Sequence, residues 1–509
     1  MASILLVLDV EGQTRRYTSA ASEETVSGET YRPGLQVGSV PQHSLGQTAV
    51  SVDDADTDWA TTLMGYDLPP LWTASLYYAD ANGRIQLQTG VARVLGPAPN
   101  ASLLELTIDS SQVRGSKLVP DPASSLISAG DFPGEDHTSP SYVQDEATIG
   151  AYYPRVYGAP GLSAMEADAT TGGPTTPAYL VELGVGALNY QGSRVAIASP
   201  ATPAATITLY DVSSGFDGSG YKSASVSTQT ITDARGREVQ VVDFQGLTGI
   251  AAVLGTEYGA AWDVSDPATD RRASYVVEDL MRAGNIPVDE ARMWLSGLRI
   301  DTAITEPVDP VQWVLQHFGA LPLVIGRSAS GFYARLVPID QQWTDMDLEL
   351  TSTDDYDGLQ MPDPAQVPSE VLVRYGPIAG ELSRTVRLTP TGAEDGATGS
   401  PVCAIAFAAG YRGTAEQNLP IVCDPSTAGR VAALIALDRC RPGMQTTLTV
   451  SDPTVVRAVL SLGPAFVINI TADNTTSPTG PGLAGYRLIN DAQSVSAEGV
   501  LTMTVSVYR

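Results

Sequence analysis

Leu71-Trp72-Thr73-Ala74-Ser75-Leu76-Tyr77-Tyr78, then Ala81-Asn82-Gly83-Arg84, then Ile85-Gln86-Leu87-Gln88-Thr89-Gly90-Val91 is the stretch on which the fold class turns. Apolar and polar side chains alternate on both sides of an Asn-Gly pair, and a period of two sends successive side chains to opposite faces of a strand. The spacing predicts a β-hairpin with its turn at Ala81–Arg84, inside a first β domain. Ser102-Leu103-Leu104-Glu105-Leu106-Thr107-Ile108-Asp109 supplies another strand of the same kind.

Outward from the hairpin the pattern changes three times. Val119 to about Ser141 is rich in Pro, Ser and Asp with little periodicity, and predicts a long loop or crossover. A second β segment comes next, from about 150 to 262. Its strands include Tyr179–Leu183 and Thr206–Val212, and Gly215-Phe216-Asp217-Gly218-Ser219-Gly220 reads as a loop tip. Residues 266 to 320 form the main helical island. Asp266-Pro267 is the favoured cap-then-proline start, Val276, Val277, Leu280 and Met281 share one face, and Gly284 stops the helix. Asp309-Pro310 repeats that grammar, with Val311, Val314, Leu315 and Phe318 on one face before Gly319. A strand pair, Leu321–Ile325 and Gly331–Pro338, packs onto it.

Strands return from 345 to 509, among them Val371–Tyr375, Gln445–Val450 and Ala465–Ile470. One further helix is expected from about Ser426 to Cys440, burying Val431, Leu434, Ile435 and Leu437. The fold class is therefore mainly β with a small α/β part. Four segments are expected: a first β domain at 1–149, a further β segment at 150–265, an α/β part at 266–344 and a second β domain at 345–509. A chain of 509 residues has room for about three or four domains. No period of 20–50 residues repeats, which argues against a solenoid or propeller.

Composition narrows the function classes. Apolar residues make up 43% and charged residues 17%, below the roughly 25% of ordinary globular proteins, so the surface is mostly neutral and polar. The 57 acidic side chains outnumber 29 basic ones, a formal charge of −28, and all basic residues but Lys117 and Lys222 are arginine. Each phosphate contact needs a cation, so this is not a surface built to grip nucleic acid. Met1–Asp9 lacks a basic n-region and its apolar run is short, so it reads as a first strand and not an export signal. No uncharged stretch approaches the 18 or so apolar residues of a membrane span. The expectation is a protein soluble where it is made. Cys403, Cys423 and Cys440 are too far apart for a CxxC pair and odd in number, and they read as buried free thiols.

Candidate chemistry is sparse. His43, His137 and His317 are the only histidines, and they read as surface or satisfied side chains. Gly326-Arg327-Ser328-Ala329-Ser330-Gly331 has glycines one residue too far apart for a serine nucleophile elbow and reads as a hairpin turn. Gly184-Val185-Gly186 lacks the third glycine of a phosphate loop. Asp54, Asp56 and Asp58 have calcium-loop spacing, but Trp59 occupies the glycine position and Gly65 the glutamate position. A solvated acidic turn or helix amino end is the better reading, and Asp354-Asp355-Tyr356-Asp357-Gly358 is treated alike. Tyr152, Tyr153, Tyr157 and Trp59 are candidate exposed aromatics for stacking on sugars. No catalytic, cofactor-binding or metal-binding residue is assigned.

Ala151-Tyr152-Tyr153-Pro154-Arg155-Val156-Tyr157-Gly158 resembles the short P-x-V-Y-G segment of tail-tip and hub proteins of long-tailed bacteriophages and related gene-transfer particles. The elements downstream of it keep the same order. A helical unit, Tyr275 to Gly284, leads to Gly284-Asn285-Ile286-Pro287-Val288-Asp289, a G-x-P-x-D turn. A proline-started helix, Pro310 to Gly319, then leads to the hairpin Leu323–Pro338, and further on come Val371–Tyr375 and a helix from Ala428 to Arg439. The resemblance spans roughly residues 150 to 509. It implies a structural virion protein made in the host cytoplasm, with 1–149 and 345–509 as two barrel-like tube domains, 150–265 as an inserted peripheral β domain and 266–344 as an α/β linker. Three copies then present six barrels around a channel. The implied partners are copies of itself, tail tube and distal tail proteins, and tail fibre or tip proteins, with DNA passing through unbound. Some hub proteins hold an iron–sulfur cluster on four cysteines; three scattered ones depart from that pattern, so no metal or cofactor is carried over. The competing readings are a receptor- or glycan-binding tail protein or adhesin, and a glycan- or peptide-cleaving enzyme.

Overall fold

The computed structural model describes residues 2–97, 102–131, 142–143, 149–153, 155–157, 187–190, 193–198, 206–211, 223–243, 258–263, 272–300, 302–339, 347–350, 355–356, 360, 363, 366–378, 381–393, 396–422, 424–441, 443–470 and 487–508. The Leu71–Val91 hairpin sits in the middle of a nine-stranded sheet. The amino-terminal strands are β1 (Ser3–Val10), β2 (Gln13–Thr18), β3 (Glu24–Val26), β4 (Glu29–Pro33), β5 (Leu35–Val37), β6 (Val40–Pro41), β7 (Gln47–Asp53), β8 (Leu71–Asp80), β9 (Gly83–Pro97) and β10 (Leu103–Asp109). The sheet order is β3-β4-β2-β1-β8-β9-β10-β7-β5. Asp80 faces Gly83 across the turn, so the loop is Ala81-Asn82 and Gly83 already opens β9. Asp80 accepts the Asn82 N–H at 2.7 Å, and Gly83 takes the positive φ of 110° that glycine tolerates. Trp72, Ala74, Leu76 and Tyr78 turn inward from β8, as the alternation predicts. Gly90 is fixed by close approach, because a Cβ there would stand 2.2 Å from the Asp109 carbonyl oxygen.

The second large sheet runs in the order Leu348–Leu350, Val467–Ile470, Arg487–Val495, Leu501–Tyr508, Met444–Val450, Asp355–Tyr356. β6 joins it from the amino-terminal half, with Val40 opposite Val495 and Pro41 opposite Ser494. The two sheets share one apolar core, in which Leu6, Trp72, Leu76 and Leu106 meet Leu448, Leu488, Met503 and Val505.

A second core surrounds the helical island. Here α3 (Ala273–Ala283) and α4 (Pro310–Phe318) pack with the hairpin Leu323–Arg327/Phe332–Leu336. A four-stranded sheet, Ala397–Gly399, Glu381–Thr389, Glu370–Ile378, Thr414–Leu419, closes the core together with α5 (Pro401–Ala408) and α6 (Pro425–Ile435), which continues as a π-helical turn, Ala436–Cys440. The remaining helices are α1 (Trp59–Met64), α2 (Pro122–Ser125) and α7 (Pro453–Leu462).

The mainly β, multi-domain expectation holds, with corrections. Neither expected tube domain is a closed barrel among the described residues. The large sheets end in edge strands of two or three residues, β3 and β5 in one, Leu348–Leu350 and Asp355–Tyr356 in the other. Closing a sheet needs long, staggered edge strands that pair with each other. Residues 345–509, expected as one β domain, feed both cores: Val371–Cys440 joins the helical island and Leu448–Val507 joins the first sheet. Two helices, α5 and α7, exceed the single one expected there. The helix expected to start at Asp266-Pro267 starts instead at Ala273, behind an extended Arg272 that ends any turn begun earlier; Tyr179–Leu183, Gly184–Gly186 and Gly215–Gly220 lie outside the described residues.

A third large sheet, seven-stranded and antiparallel, runs in the order Tyr142–Val143, Ala187–Tyr190, Ser193–Ala198, Glu238–Asp243, Ser223–Thr232, Thr206–Asp211, Tyr258–Asp263, so it takes in a strand from before residue 150. Among the described residues no helix is long and apolar enough to cross a membrane.

Candidate functional site

Buried polar side chains of this chain gather in joints between its elements. The first lies on the seam of the two cores. Gln42, beside β6, donates to the Leu460 carbonyl at 2.7 Å through its side chain, and its backbone N–H donates to Gln493 O at 2.9 Å. Asn490, Gln493 and Gln42 then form a buried amide chain, Asn490 to Gln493 to Gln42. A buried amide costs heavily when unpaired, so this chain fixes one register between strands about 450 residues apart in sequence.

His43 is the next residue. It adopts φ 55°, donates its N–H to Leu87 O at 2.8 Å and accepts Arg327 N at 3.0 Å, while its Nδ1 lies 3.1 Å from the Tyr333 hydroxyl. Burial, then the positive charge of Arg292, pushes the imidazole down to about 4, with Asp289 opposing. Asp289 is buried and takes a hydrogen bond from Ser328 Oγ and an ion pair from Arg292 at 3.2 Å. Arg292 reaches on to the Ser461 carbonyl at 3.0 Å, at the end of α7. A neutral imidazole, a committed arginine and an anchored serine make a rigid joint. Gly326–Gly331 is the expected hairpin turn, with Ser328 N donating to Gly331 O at 2.9 Å.

The second joint ties residues 153–157 and 233–237 to their neighbours. Arg155 and Tyr157 stand on a short strand paired with Thr302–Ile304. Both converge on one oxygen of Asp279 in α3: Arg155 Nε at 3.0 Å and Nη2 at 2.6 Å, and the Tyr157 hydroxyl at 2.9 Å. Arg237, on the turn between Ser223–Thr232 and Glu238–Asp243, binds Asp233 at 2.6 Å, Asp131 at 2.9 Å and the carbonyls of Ser124 and Leu126 at 2.6 and 3.0 Å. Arg235 also binds Asp131, at 2.8 Å, and the Arg237 guanidinium lies 4.7 Å from the Tyr153 ring. Tyr153 donates to Asp233 at 3.2 Å. Arginine's planar fork suits such multiple, partly desolvated contacts.

The acidic turn is internally satisfied. Asp54 accepts the Tyr17 hydroxyl at 2.8 Å, Thr57 Oγ1 at 3.0 Å and Asp56 N at 3.1 Å, while Asp58 caps α1 through Thr61 N at 3.1 Å. The Asp56 carboxylate faces Arg32 at 3.4 Å, so the three carboxylates serve different partners, and no group of three metal-ligating side chains occurs among the described residues. Asp354 and Asp357 of the second acidic run lie outside them, as do His137 and Cys423. The His317 ring lies 4.6 Å from that of Trp313, tilted by 54°. The exposed-aromatic expectation is corrected: Trp59, Tyr153 and Tyr157 are buried, and Tyr152 is half-buried. Trp59 lies beside Trp72 with the Arg15 guanidinium 4.9 Å from its ring, so its face is covered.

Asp279, Asp289, Asp131, Asp233, Arg237 and Arg292 are joint residues that the sequence pattern does not reveal. Several of their partners are distant in the chain, and only Asp233 with Arg237, four apart, and Asp289 with Arg292, three apart, carry a local hint. Many arginines are engaged by internal carboxylates, including Arg457 by Asp80 at 2.6 Å and Arg16 by Glu29 at 2.7 Å. The surplus acids therefore set the surface field.

No family model and no curated protein matches this sequence. Among solved structures the chain is similar to the crystal structure of the prophage MuSo2 43 kDa tail protein from Shewanella oneidensis, at 8% identity over 99% of this chain and 98% of that one, with a TM-score of 0.38.

Proposed function

We propose that this chain is a structural virion protein, a hub or baseplate component of a phage-like tail. In this reading three copies form a ring that joins tail tube and distal tail proteins to tail fibre or tip proteins at the tail tip. DNA passes through the ring without being held, and the role requires no catalysis. The division into a first β domain at 1–149, a peripheral domain at 150–265, a linker at 266–344 and a second β domain at 345–509 belongs to the same proposal, with Leu448–Val507 sharing the first domain's core and Val371–Cys440 packing on the linker.

The observation that carries the reading is the ordered series from Arg155-Val156-Tyr157 through the two proline-bounded turns and helices of the island, whose polar members bind one another. Arg155 and Tyr157 of the hub-like segment grip Asp279 of the helical unit, and Asp289 of the G-x-P-x-D turn holds Ser328 in the hairpin. A part that transmits force between tube and tip needs such cross-links between successive elements. Ionic screening limits repulsion to about 8 Å at physiological salt, so only carboxylates on the passage wall would keep DNA from sticking.

Antibody-labelled electron microscopy of tailed particles tests this: label at the distal end of the tail is expected. Particles that lack the protein, or carry it only at the head, would overturn it.

A further inference from the structure

An apolar lip stands uncovered where β8 begins beside the end of β9. Between Val94, which faces Leu106, and Gly96, which faces Glu105, β9 carries one residue more than β10. That extra residue is Leu95, and the bulge leaves its side chain turned to solvent, 65% exposed. Leu71 opens β8 opposite Arg93, so Leu95 lies diagonally across the strand pair from it, within reach of a long side chain. Leu71 is 53% exposed, and Leu68, joined to it through Pro69-Pro70, is 78% exposed. Beside the lip runs a groove of about 500 Å³ that Leu95 lines together with Val37, Val50 and Leu106. Glu105, itself exposed, is the one charged residue of that lining. Large apolar side chains that gather at the surface inside a polar rim commonly mark a contact site. Here the rim consists of Asp67 beside Leu68, Glu105 beside Leu95, and Arg93 between the leucines, all exposed.

We propose that this lip and groove dock a segment of a different protein, one in which an apolar side chain seated beside Leu95 is flanked by lysine or arginine. The apolar side chain would leave water against Leu71 and Leu95, and a flanking cation would meet Glu105. Contact with the leucines removes water from around that pair, which strengthens the attraction over that of an open surface pair. A second copy of the chain is the poorer occupant. It carries the same charge of −28, and many of its arginines are held by its own carboxylates, among them Arg457 by Asp80 and Arg16 by Glu29. A cationic partner is drawn toward this field instead, and charge complementarity of that kind speeds encounter. Such docking requires no ring and no catalysis.

Fluorescence anisotropy on the folded full-length protein tests this with a short labelled peptide that alternates leucine and lysine. Saturable binding that weakens as salt is raised is the expected result. Exchanging the peptide's leucines for serine should weaken binding about tenfold or more, the scale of one leucine left unburied, and exchanging its lysines for glutamate should abolish it. In the protein, Leu95→Ser should cost about as much as the serine peptide does, and Glu105→Gln less. No saturable binding, or equal binding of the serine peptide, overturns the proposal on the wild-type chain alone, whether or not a variant folds. Unchanged binding by a folded Leu95→Ser protein also overturns it. So does sedimentation that shows the chain associating with itself through a contact that Leu95→Ser abolishes, because the lip then belongs to a second copy.

Discussion

Single residues at the seam and in the adjoining sheet respond to pH in opposite directions. His43 is pushed down to about 4 by burial and by Arg292. The unfolded chain binds that proton near 6.5, so the stability contributed by the neutral ring is present above about 6.5 and is lost as pH falls toward 4. Asp491 runs the other way. Burial pushes its carboxyl up to about 6, with Asp438 adding to the rise and the Ser506 hydroxyl opposing it. The unfolded chain ionises that group near 3.9, so stability from its neutral form is present at low pH and lost as pH rises through about 6. The two contributions largely cancel in the wild type between about 4 and 6.5. Asp491→Asn separates them, because an amide of the same shape never ionises. At pH 7.5 it should be more stable than wild type by about 2 kcal/mol, and the difference should vanish near pH 4. Calorimetry at both pH values checks this; equal stability at pH 7.5 contradicts it.

At the scale of elements, the cap-then-proline pair is the most legible signal in this chain. Asp309-Pro310 and Asp424-Pro425 start helices, and so do Asp121-Pro122, Ser400-Pro401 and Asp452-Pro453, where the periodicity predicts none. α5 is hidden from such a reading because Pro401–Ala408 is apolar all round and offers no periodic face. α7 is hidden because it lies between strands and merges with their pattern. The hairpin of β8 and β9 is readable because its alternation and turn are local. Trp59 and Tyr153 read as exposed because the groups that cover them, Trp72, Arg15, Asp233 and Arg237, come from other elements. The Arg237 joint makes the element-scale prediction. Arg237→Ala leaves Asp131 and Asp233 buried without their shared cation, at a local cost of about 3–5 kcal/mol. Hydrogen exchange should speed up in 124–131 and 232–238 while α3, α4 and β8 keep their protection. Uniform acceleration across the chain, or none, would count against an anchoring role.

At the scale of the whole molecule, the mainly β class is legible in the sequence and the grouping of strands is not. Nothing local in Val40-Pro41 announces a partner at Ser494-Val495, and nothing local divides 345–509 between two cores. Such pairings are decided by which apolar faces remain to be covered once each sheet has formed, a global condition. The charge of −28 has a similar character: internal pairing uses up many of the arginines, and the surplus carboxylates must face solvent or a channel. A ring gives that surplus a place and pairs exposed sheet edges with neighbours, as closed oligomers commonly do. Native mass spectrometry of the purified full chain tests the ring most directly. Three times the chain mass, with three-fold rings in electron micrographs of the same sample, is the expected result; a monodisperse monomer at micromolar concentration, with no ring in assembled particles, would contradict it.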